Sequence, residues 1–485
     1  MGRESDGVAA RRWWTIGACL VLAAALRFID VGRQSLWIDE VLSLKSAAQP
    51  VAVLAFESDG HPPLYHLLLK VSGLCSGSEM RGRVLSAVFG VVTVGLLIVA
   101  GSRMFGADSG LLAGFLLAVS PLHVWYSREG RMYSLAVLFA VASSACLVQA
   151  VERGRARDWL GYGVAILVGI ASHYFTAGVA VAQGLFVLLD GQARRRGFWP
   201  LLLVTLGVLA AGALALPVIG VDRTVNWDWR AFQPAAIPYT AFVFLAGFAI
   251  GPSTAELHAA TRAAAVAAHA AEIGVVVAVG LALTAAAVRG VARAGRWRLY
   301  LLLWLFVPPL LVFTAAWSTG IAYNVRLVLV SLPAFVLFVA LGIASLPRVA
   351  AALALAAVVG ISAVSIARDR VDPRYVREDV RDAAAYLVRE AGPGQRVVVV
   401  AGYVEEVLGW YAPGTLTFTR LDGLPVGAPA EAESLVRRLS AAGPVWCVLA
   451  RSWDQDDNGL FAAALDAVTG GPTKTLPGVK IYKLG

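Results

Sequence analysis

The stretch "WWTIGACLVLAAALRFI", residues 13–29, is an apolar run whose one charged side chain is Arg27. A run of this length and composition can cross the ~30 Å hydrocarbon core of a bilayer as a single helix. Basic residues precede it, as in a signal peptide, but no small-residue cleavage site follows, so we interpret it as a retained first span. Similar runs recur to about residue 367, and the sequence therefore predicts a polytopic, mainly α-helical membrane protein.

The overall composition supports a membrane protein and argues against other classes. The 485 residues are 58% hydrophobic and only 15% charged, whereas soluble domains are about 45–50% apolar and about 25% charged. The net charge of +9 lies mainly in short loops, where Lys and Arg orient spans, so no nucleic-acid partner is expected. The four cysteines form no CxxC or Cys/His cluster, which argues against structural zinc. A disulfide between Cys75 and Cys447 is kept as an alternative for the case that both residues face an oxidising compartment.

Hydropathy predicts about eleven spans. They cover approximately residues 13–29, 84–101, 111–126, 133–150, 159–173, 175–190, 199–219, 273–289, 299–317, 327–346 and 349–367. Assigning the basic loops to the cytoplasm satisfies the positive-inside rule at every crossing. The N-terminus is then cytoplasmic, and the odd number of spans places the C-terminal end and the first loop, 30–83, outside. Residues 237–272 are interpreted as interfacial or extracytoplasmic helices.

At about residue 370 the composition changes to that of a soluble domain. "REDVRDAAAYLVREAG" has helical apolar spacing, and "RVVVVAGY", "TLTFTRL", "PVWCVLARSW" and "VKIYKLG" are typical of strands. We therefore predict a multi-spanning domain at 1–369 and a small extracytoplasmic α/β domain at 370–485. The second domain contains no Gly-rich phosphate motif, which favours an accessory or acceptor-facing role over nucleotide binding.

Two adjacent carboxylates, Asp39 and Glu40, lie in the first loop among the apolar residues of "SLWIDEVLSL", residues 35–44. A solvated loop pair is the simplest interpretation. Charges are costly where water is scarce, however, and in membrane proteins they commonly mark functional sites. Because adjacent residues do not share a helix face, we expect one carboxylate to face a reactant while the other anchors the loop.

Two further segments on the predicted outer face contain candidate binding residues. In "HPPLYHLLLK" two prolines hold His61 in an extended conformation, although a rigid turn alone would explain them. "SREGRMYSL" contains Arg128, Glu129 and Arg131. Outward arginines suit an anionic ligand, because guanidinium binds phosphate in a bidentate fork; the alternative is an ordinary loop salt bridge.

Two single residues lie at the outer ends of predicted spans. Arg326 begins a late apolar run, where it is either a phosphate contact or a snorkelling anchor. His173 ends an earlier run, and a lone histidine is more often a structural hydrogen-bonding residue than a ligand contact.

Together these segments resemble the GT-C glycosyltransferases, the superfamily of the protein O-mannosyltransferases and the lipid A aminoarabinose transferases, and within it the bacterial family 39 group. The resemblance rests on "WIDE", "HPPLYHLLLK", "YSREGRMYSLAVL", "YNVRLVLVSLPAFVLFVALG" and "REDVRDAAAYL". It implies a GT-C fold and transfer of one sugar, with inversion, from a polyprenyl-phosphate donor to an acceptor hydroxyl. The reaction would occur on the extracytoplasmic face of the cell (inner) membrane. The acceptor would be a protein, a lipid or a cell-envelope glycan.

The resemblance also implies roles for individual residues. Asp39 would be the catalytic base, Glu40 would support the loop, the acceptor or the donor, and Glu129 would be the second-loop carboxylate. The substrate-binding candidates are His61, Tyr65, Arg128, Glu129, Arg131, Tyr133, His173 and Arg326. A phosphate leaves readily once its charge is neutralised, so one base suffices, whereas glycosidases need two carboxylates. No cofactor is required, although a divalent metal ion stays open.

Two other functions are kept as alternatives. One is a transporter or lipid flippase without covalent chemistry, and the other is a glycan polymerase or ligase that uses a diphosphate-linked donor. Transporters usually carry ionisable or Gly/Pro-broken spans near the midplane. Here the polar residues cluster on one predicted face, although Pro308 and Pro309 do interrupt one apolar run.

Overall fold

A computed structural model of the chain describes residues 2–56, 61–75, 77–215, 234–258, 262–319, 323–392, 395–421, 427–452, 455–456 and 459–485. These residues form two compact units. The first comprises Met1–Val31, Ser43–Gly247 and Val275–Ala363. The second comprises Gly32–Leu42, Phe248–Gly274 and Val364–Gly485. Two segments from the first 274 residues thus pack with the C-terminal part of the chain.

Helices account for nearly all regular structure before residue 372. They are α1 (Gly2–Phe28), α2 (Ile38–Ala48), α3 (Val51–Phe56), α4 (Leu64–Val71), α5 (Glu79–Phe105), α6 (Ala107–Val119), α7 (Pro121–Ser127), α8 (Tyr133–Arg153), α9 (Ala156–Ser172), α10 (Ala177–Leu189), α11 (Gly191–Ala215), α12 (Ala236–Ala246), α13 (Thr254–His258), α14 (Arg262–Ala268), α15 (Ala270–Ala292), α16 (Trp297–Thr319), α17 (Leu332–Ala344) and α18 (Arg348–Val371). Short 3₁₀ turns lie at Tyr174–Thr176 and Val325–Ser331.

Six helical segments of the described chain are long and apolar enough to cross a membrane, or seven if one bent pair counts as a span. The six are Glu79–Phe105, Tyr133–Arg153, Ala270–Ala292, Trp297–Ser318, Val325–Ala344 and Arg348–Val371. The mainly helical fold class is therefore confirmed, whereas the count of eleven spans stays a prediction. The positions of α12–α14 relative to a membrane also stay a prediction.

The predicted span at 111–126 consists of two helices, α6 and α7, which are bent by 61° at a break. Ser120 lies at the break, and its hydroxyl accepts a hydrogen bond from the amide of His123. Pro121 occupies the first turn of α7, where its missing N–H leaves no donor unpaired. The Ser-Pro pair is thus an ordinary helix start inside an apolar run.

Arg27 ties the end of α1 to this break. Its side chain is fully buried, and it donates to the last carbonyls of α6, those of Leu117 at 3.2 Å and Ala118 at 3.0 Å. The negative end of the α6 dipole therefore lies against the guanidinium. The other N–H groups of Arg27 contact Ala23 O, His123 Nδ1 and Ser127 Oγ.

The C-terminal part of the second unit is a small α/β fold. Its elements are α19 (Val380–Glu390), β1 (Arg396–Val400), α20 (Val404–Tyr411), β2 (Thr417–Leu421), α21 (Pro429–Ala441), β3 (Val445–Ala450), α22 (Leu460–Thr469), β4 (Lys474–Leu476) and β5 (Val479–Leu484). The sheet order is β2-β1-β3-β5-β4, with β2, β1 and β3 parallel and β5 antiparallel to both β3 and β4. The predicted α/β composition is confirmed; the domain boundary at 369/370 stays a prediction.

The sheet encloses the apolar core of this unit. Val398, Cys447 and Tyr482 lie on neighbouring strands and pack with Phe461 and Leu465 of α22. Burial raises the pKa of the Cys447 thiol to about 12. All four cysteines of the chain are free thiols, so the alternative of a Cys75–Cys447 disulfide is not realised in this structure.

Candidate active site

The two carboxylates of the first loop have different environments. Glu40 is completely buried, and its Oε2 lies 2.9 Å from Nη1 of Arg377, whose side chain is 10% exposed. The same oxygen accepts the backbone N–H of Trp37 at 3.3 Å. Asp39 is half-buried. Both lie in the first turn of α2, where the helix dipole favours negative charge. Of the pair, Glu40 is therefore the fully buried, ion-paired carboxylate, while Asp39 is the partly exposed one.

Four of the predicted binding residues meet in one cluster in the first unit. The rings of His61 and His173 stack with centroids 5.9 Å apart and an interplanar angle of 26°. Tyr133, at the start of α8, lies 5.5 Å from the His173 ring. The guanidinium of Arg326 lies 6.0 Å from the Tyr133 ring. The residues come from four separate segments, and their side chains combine flat rings with a cation.

His173 has a hydrogen-bonding group that its surroundings leave unused. The residue is 3% exposed, and it caps the 3₁₀ turn that follows α9 by accepting the Phe175 N–H on Nδ1 at 3.3 Å. A neutral ring that accepts on Nδ1 carries its proton on Nε2. Nε2 is buried and has no partner among the described residues. An unpaired buried donor costs about 1–3 kcal/mol, so a bound hydroxyl or phosphate oxygen would relieve this penalty.

Arg131 and Tyr65 belong to a second group. Arg131 is buried and donates to the Ser43 hydroxyl of α2 at 2.6 Å. The buried Tyr65 hydroxyl lies 2.9 Å from Ser86 Oγ, and Ser86 in turn donates to the Arg131 carbonyl at 3.0 Å. Tyr65 therefore supports the loop between α7 and α8, and through it the Arg131 guanidinium.

Arg128 and Glu129 lie in the same loop but make other contacts. The Arg128 guanidinium donates to the carbonyls of Ile29 and Asp30, at the C-terminal end of α1. Carbonyls at helix ends lack intrahelical partners, so Arg128 acts here as a helix cap. Glu129 is 1% exposed, and its backbone carbonyl accepts the Arg131 N–H at 2.8 Å. A phosphate-binding role for Arg128 and a substrate contact for Glu129 stay predictions.

The sequence did not single out Arg377, Ser43 or Ser86. Arg377 lies in "REDVRDAAAYL", which contributed to the family resemblance, but its partner Glu40 is 337 residues away. Ser43 lies one helical turn after Asp39, and Ser86 lies in the apolar run of α5. A small hydroxyl inside an apolar helix gives no signal of its own, because serines there commonly bond their own backbone.

No group of three or more His, Cys, Asp or Glu side chains in the described ranges is arranged to hold a metal ion. The expectation that no cofactor is required stays a prediction.

Comparison with known families gives a match in the first half of the chain. Residues 60–219 match the model of the family "Dolichyl-phosphate-mannose-protein mannosyltransferase". The "Putative mannosyltransferase YkcB" of Bacillus subtilis is 27% identical over 160 residues, which are 33% of this chain and 22% of YkcB. The match thus spans about a fifth of the length of that curated relative.

Solved structures resemble the chain over nearly its whole length. ArnT from Cupriavidus metallidurans in the apo state has a TM-score of 0.60 at 13% identity and covers 98% of both chains. The same protein bound to undecaprenyl phosphate has a TM-score of 0.54 at 13% identity, over 96% of this chain and 97% of ArnT.

A third similar structure is an archaeal enzyme. The oligosaccharyltransferase AglB from Archaeoglobus fulgidus, in complex with an inhibitory peptide and a dolichol-phosphate, has a TM-score of 0.55 at 12% identity. It covers 94% of this chain, which spans 72% of AglB. The family match and the similar structures are all of glycosyltransferases, which confirms the resemblance drawn from the sequence. The chain is thus a helical membrane protein whose fold is similar to those of ArnT and AglB, and its residues 60–219 match the family model of the dolichyl-phosphate-mannose-protein mannosyltransferases.

Proposed function

We propose that this chain is an integral-membrane glycosyltransferase that moves one sugar from a polyprenyl-phosphate donor to an acceptor hydroxyl, with inversion. The observation that carries the proposal is the likeness to ArnT over 98% of both chains, in a chain whose first loop keeps a carboxylate partly accessible. ArnT has also been solved with undecaprenyl phosphate, and AglB with a dolichol-phosphate. A lipid-linked phosphate is therefore the donor class that fits best.

Asp39 is the proposed general base. Glu40 is buried and bonded to Arg377, so it is poorly placed to take up a proton, whereas Asp39 is half-buried. The acceptor oxygen attacks the anomeric carbon and its proton passes to the Asp39 carboxylate. The bond from that carbon to the phosphate oxygen breaks, and polyprenyl phosphate leaves with the electron pair. A positioned base contributes typically ~10²–10⁴ in rate.

Two groups of residues are proposed to hold the donor. Arg131 and Arg326 neutralise the phosphate as it leaves, because charge stabilisation replaces protonation for such a leaving group. His61, Tyr133 and His173 offer flat rings and one unpaired N–H to the sugar. The loop-charge alternation supports an extracytoplasmic site in the inner membrane, with a protein, a lipid or a cell-envelope glycan as acceptor.

The direct test uses the detergent-solubilised full chain with mannosyl-phosphoryl-undecaprenol as probe donor and a membrane extract as acceptor. Wild type is expected to release undecaprenyl phosphate and to transfer mannose. Asp39→Asn should lower the turnover by about 10²–10⁴ while donor binding is retained, because the amide cannot accept a proton. Asp108→Asn, the same change at an exposed site in α6, is the matched control.

Three results would contradict the proposal. Normal turnover in Asp39→Asn would remove this residue from catalysis. Movement of intact donor across vesicles without release of the lipid phosphate would favour a flippase. Activity only with diphosphate-linked sugars, in a panel that includes both donor classes, would favour a polymerase or ligase.

A further inference from the structure

We infer that Arg377 is a positioning residue for the proposed reaction: through Glu40 it fixes the first turn of α2, and with it the orientation of the Asp39 carboxylate. The inference rests on the proposed function for its catalytic consequence. It gives the α/β part of the second unit a specific task, which is to hold in place the acidic loop, residues 33–40, that ends in Asp39 and Glu40.

The contact between Arg377 and Glu40 is a buried ion pair. The guanidinium and carboxylate are 2.9 Å apart, with exposed fractions of 10% and 0%. A buried carboxylate needs a partner, because desolvation disfavours its charged form. Arg377 therefore fixes the place that Glu40 can occupy, and Asp39 is the residue immediately before it in the same helical turn.

Arg377 also holds the entry to α2. Its guanidinium lies 5.8 Å from the Trp37 ring, a distance at which a cation is attracted to an aromatic face. The Trp37 amide donates to the same Glu40 oxygen that binds Arg377. One arginine thus contacts both the residue that precedes α2 and the residue that ends the acidic pair.

The segment before Trp37 is bonded to the same part of the chain. The Leu36 amide donates to the Tyr411 hydroxyl at 2.7 Å, and the Ser35 hydroxyl donates to the Glu378 carbonyl at 2.5 Å. Arg381 donates to the Arg33 carbonyl at 3.0 Å. Four successive points of the loop, from residue 33 to residue 37, are therefore attached to residues 377–381 and to the end of α20.

Residues 377–379 are in turn fixed to the sheet. The Asp379 amide donates to the Pro477 carbonyl at 2.9 Å, just before β5. The Glu378 carboxylate lies 3.7 Å from Nε of Arg451, the residue that follows β3. Arg451 has a φ of 51°, which is rare for a non-glycine residue. The path from sheet to acidic loop thus runs through Glu378, Arg377 and Glu40.

Loss of Arg377 is expected to affect turnover more than binding. The loop would keep its hydrogen bonds to Tyr411 and Glu378, but Glu40 would lose its buried partner and the first turn of α2 would lose that anchor. A displacement of about 1 Å of a reacting group can lower a rate about 100-fold. Donor binding, which the proposal assigns to other side chains, should change little.

The test combines kinetics with amide hydrogen exchange on the full chain in detergent, with mannosyl-phosphoryl-undecaprenol as donor. Arg377→Gln should lower kcat roughly 10- to 100-fold, leave the donor KM within about 2-fold and accelerate exchange at Trp37, whose amide is bonded to Glu40. Glu40→Gln should do the same, and the double variant should be no worse than either single one. Arg377→Lys, which keeps the charge, should restore part of kcat. Arg374→Gln is the matched control, because Arg374 is exposed and pairs with Asp372.

The positioning role is overturned if Arg377→Gln leaves exchange at Trp37 unchanged. It is also overturned if the exchange accelerates while kcat stays normal, or if the losses in the single variants add in the double variant. If wild type consumes no donor, the proposed function fails, whereas the exchange experiment still decides whether Arg377 holds the loop.

Discussion

At the scale of single residues, the division between Asp39 and Glu40 follows from their adjacency. Neighbouring residues in a helix cannot share a face, so one carboxylate turns inward when the other is near the surface. Which one turns inward was not predictable, because the partner of Glu40 comes from Arg377, far along the chain. For Arg128, the sequence context suggested a role, but the contacts of the side chain were not predictable. Its sequence context fits an anion site, but in the structure it donates to the carbonyls of Ile29 and Asp30, just after α1.

The unpaired Nε2–H of His173 gives a prediction at the same scale. His173→Asn keeps an acceptor for the Phe175 amide, because a short amide side chain can cap a turn, but it removes the ring N–H. We expect kcat/KM for the lipid-phosphate donor to fall by about 10- to 100-fold. This factor corresponds to the loss of a hydrogen bond to a charged group, which contributes about 1.5–3 kcal/mol. Thermal stability should change little. His269→Asn, at a histidine that lies beside Glu256, should leave the kinetics unaltered. Unchanged kinetics in His173→Asn would exclude a substrate contact.

At the scale of elements, apolar runs located most helices because length and hydropathy dominate in this chain. The break between α6 and α7 was missed, although a serine followed by a proline is a common helix start. Hydropathy averages over such a pair and so merges the two helices. Four of the five strands coincide with the predicted segments. Strand β4 was missed because its three residues, Lys474–Leu476, are too few for an alternating pattern.

Close packing of α15 against α17 gives a prediction at this scale. A Cβ atom at Gly290 would lie 2.2 Å from the Leu341 carbonyl oxygen, so Gly290→Ala must push the helices apart. We expect a loss of about 1–3 kcal/mol in the free energy of unfolding, measured in detergent by tryptophan fluorescence on heating. Gly274→Ala in the same helix has nothing within 4 Å of the added atom and should be neutral or slightly stabilising. Equal effects of the two substitutions would mean that the helices do not approach this closely.

At the scale of the whole molecule, the second unit is assembled from three separate stretches of the chain. Residues 32–42 and 248–274 pack with the C-terminal part of the second unit. Bonds such as those between Glu272 and Arg368, at 2.7 and 2.8 Å, join segments that are 96 residues apart. Composition marks where a soluble sequence begins, but it carries no information about which earlier segments fold with it.

The predicted orientation can be tested with the native thiols. A membrane-impermeant maleimide added to intact spheroplasts should label Cys75, which lies half-buried in the first loop. Cys447 should stay unlabelled until the protein is unfolded, because burial raises the pKa of its thiol to about 12 and little thiolate forms at neutral pH. A cysteine placed at the exposed Arg293, in a predicted cytoplasmic loop, should react only after permeabilisation. Labelling of that position from outside, with protection of Cys75, would reverse the topology.

The bonding of Arg27 has a consequence for biogenesis. All its contacts are to neutral groups, and two of the carbonyls that it binds come from residues made about 90 residues later. Arg27 lies in the last turn of α1, and the α6 carbonyls that accept from it exist only after α6 has been made. The native surroundings of this guanidinium therefore form late in synthesis, when α6 joins α1.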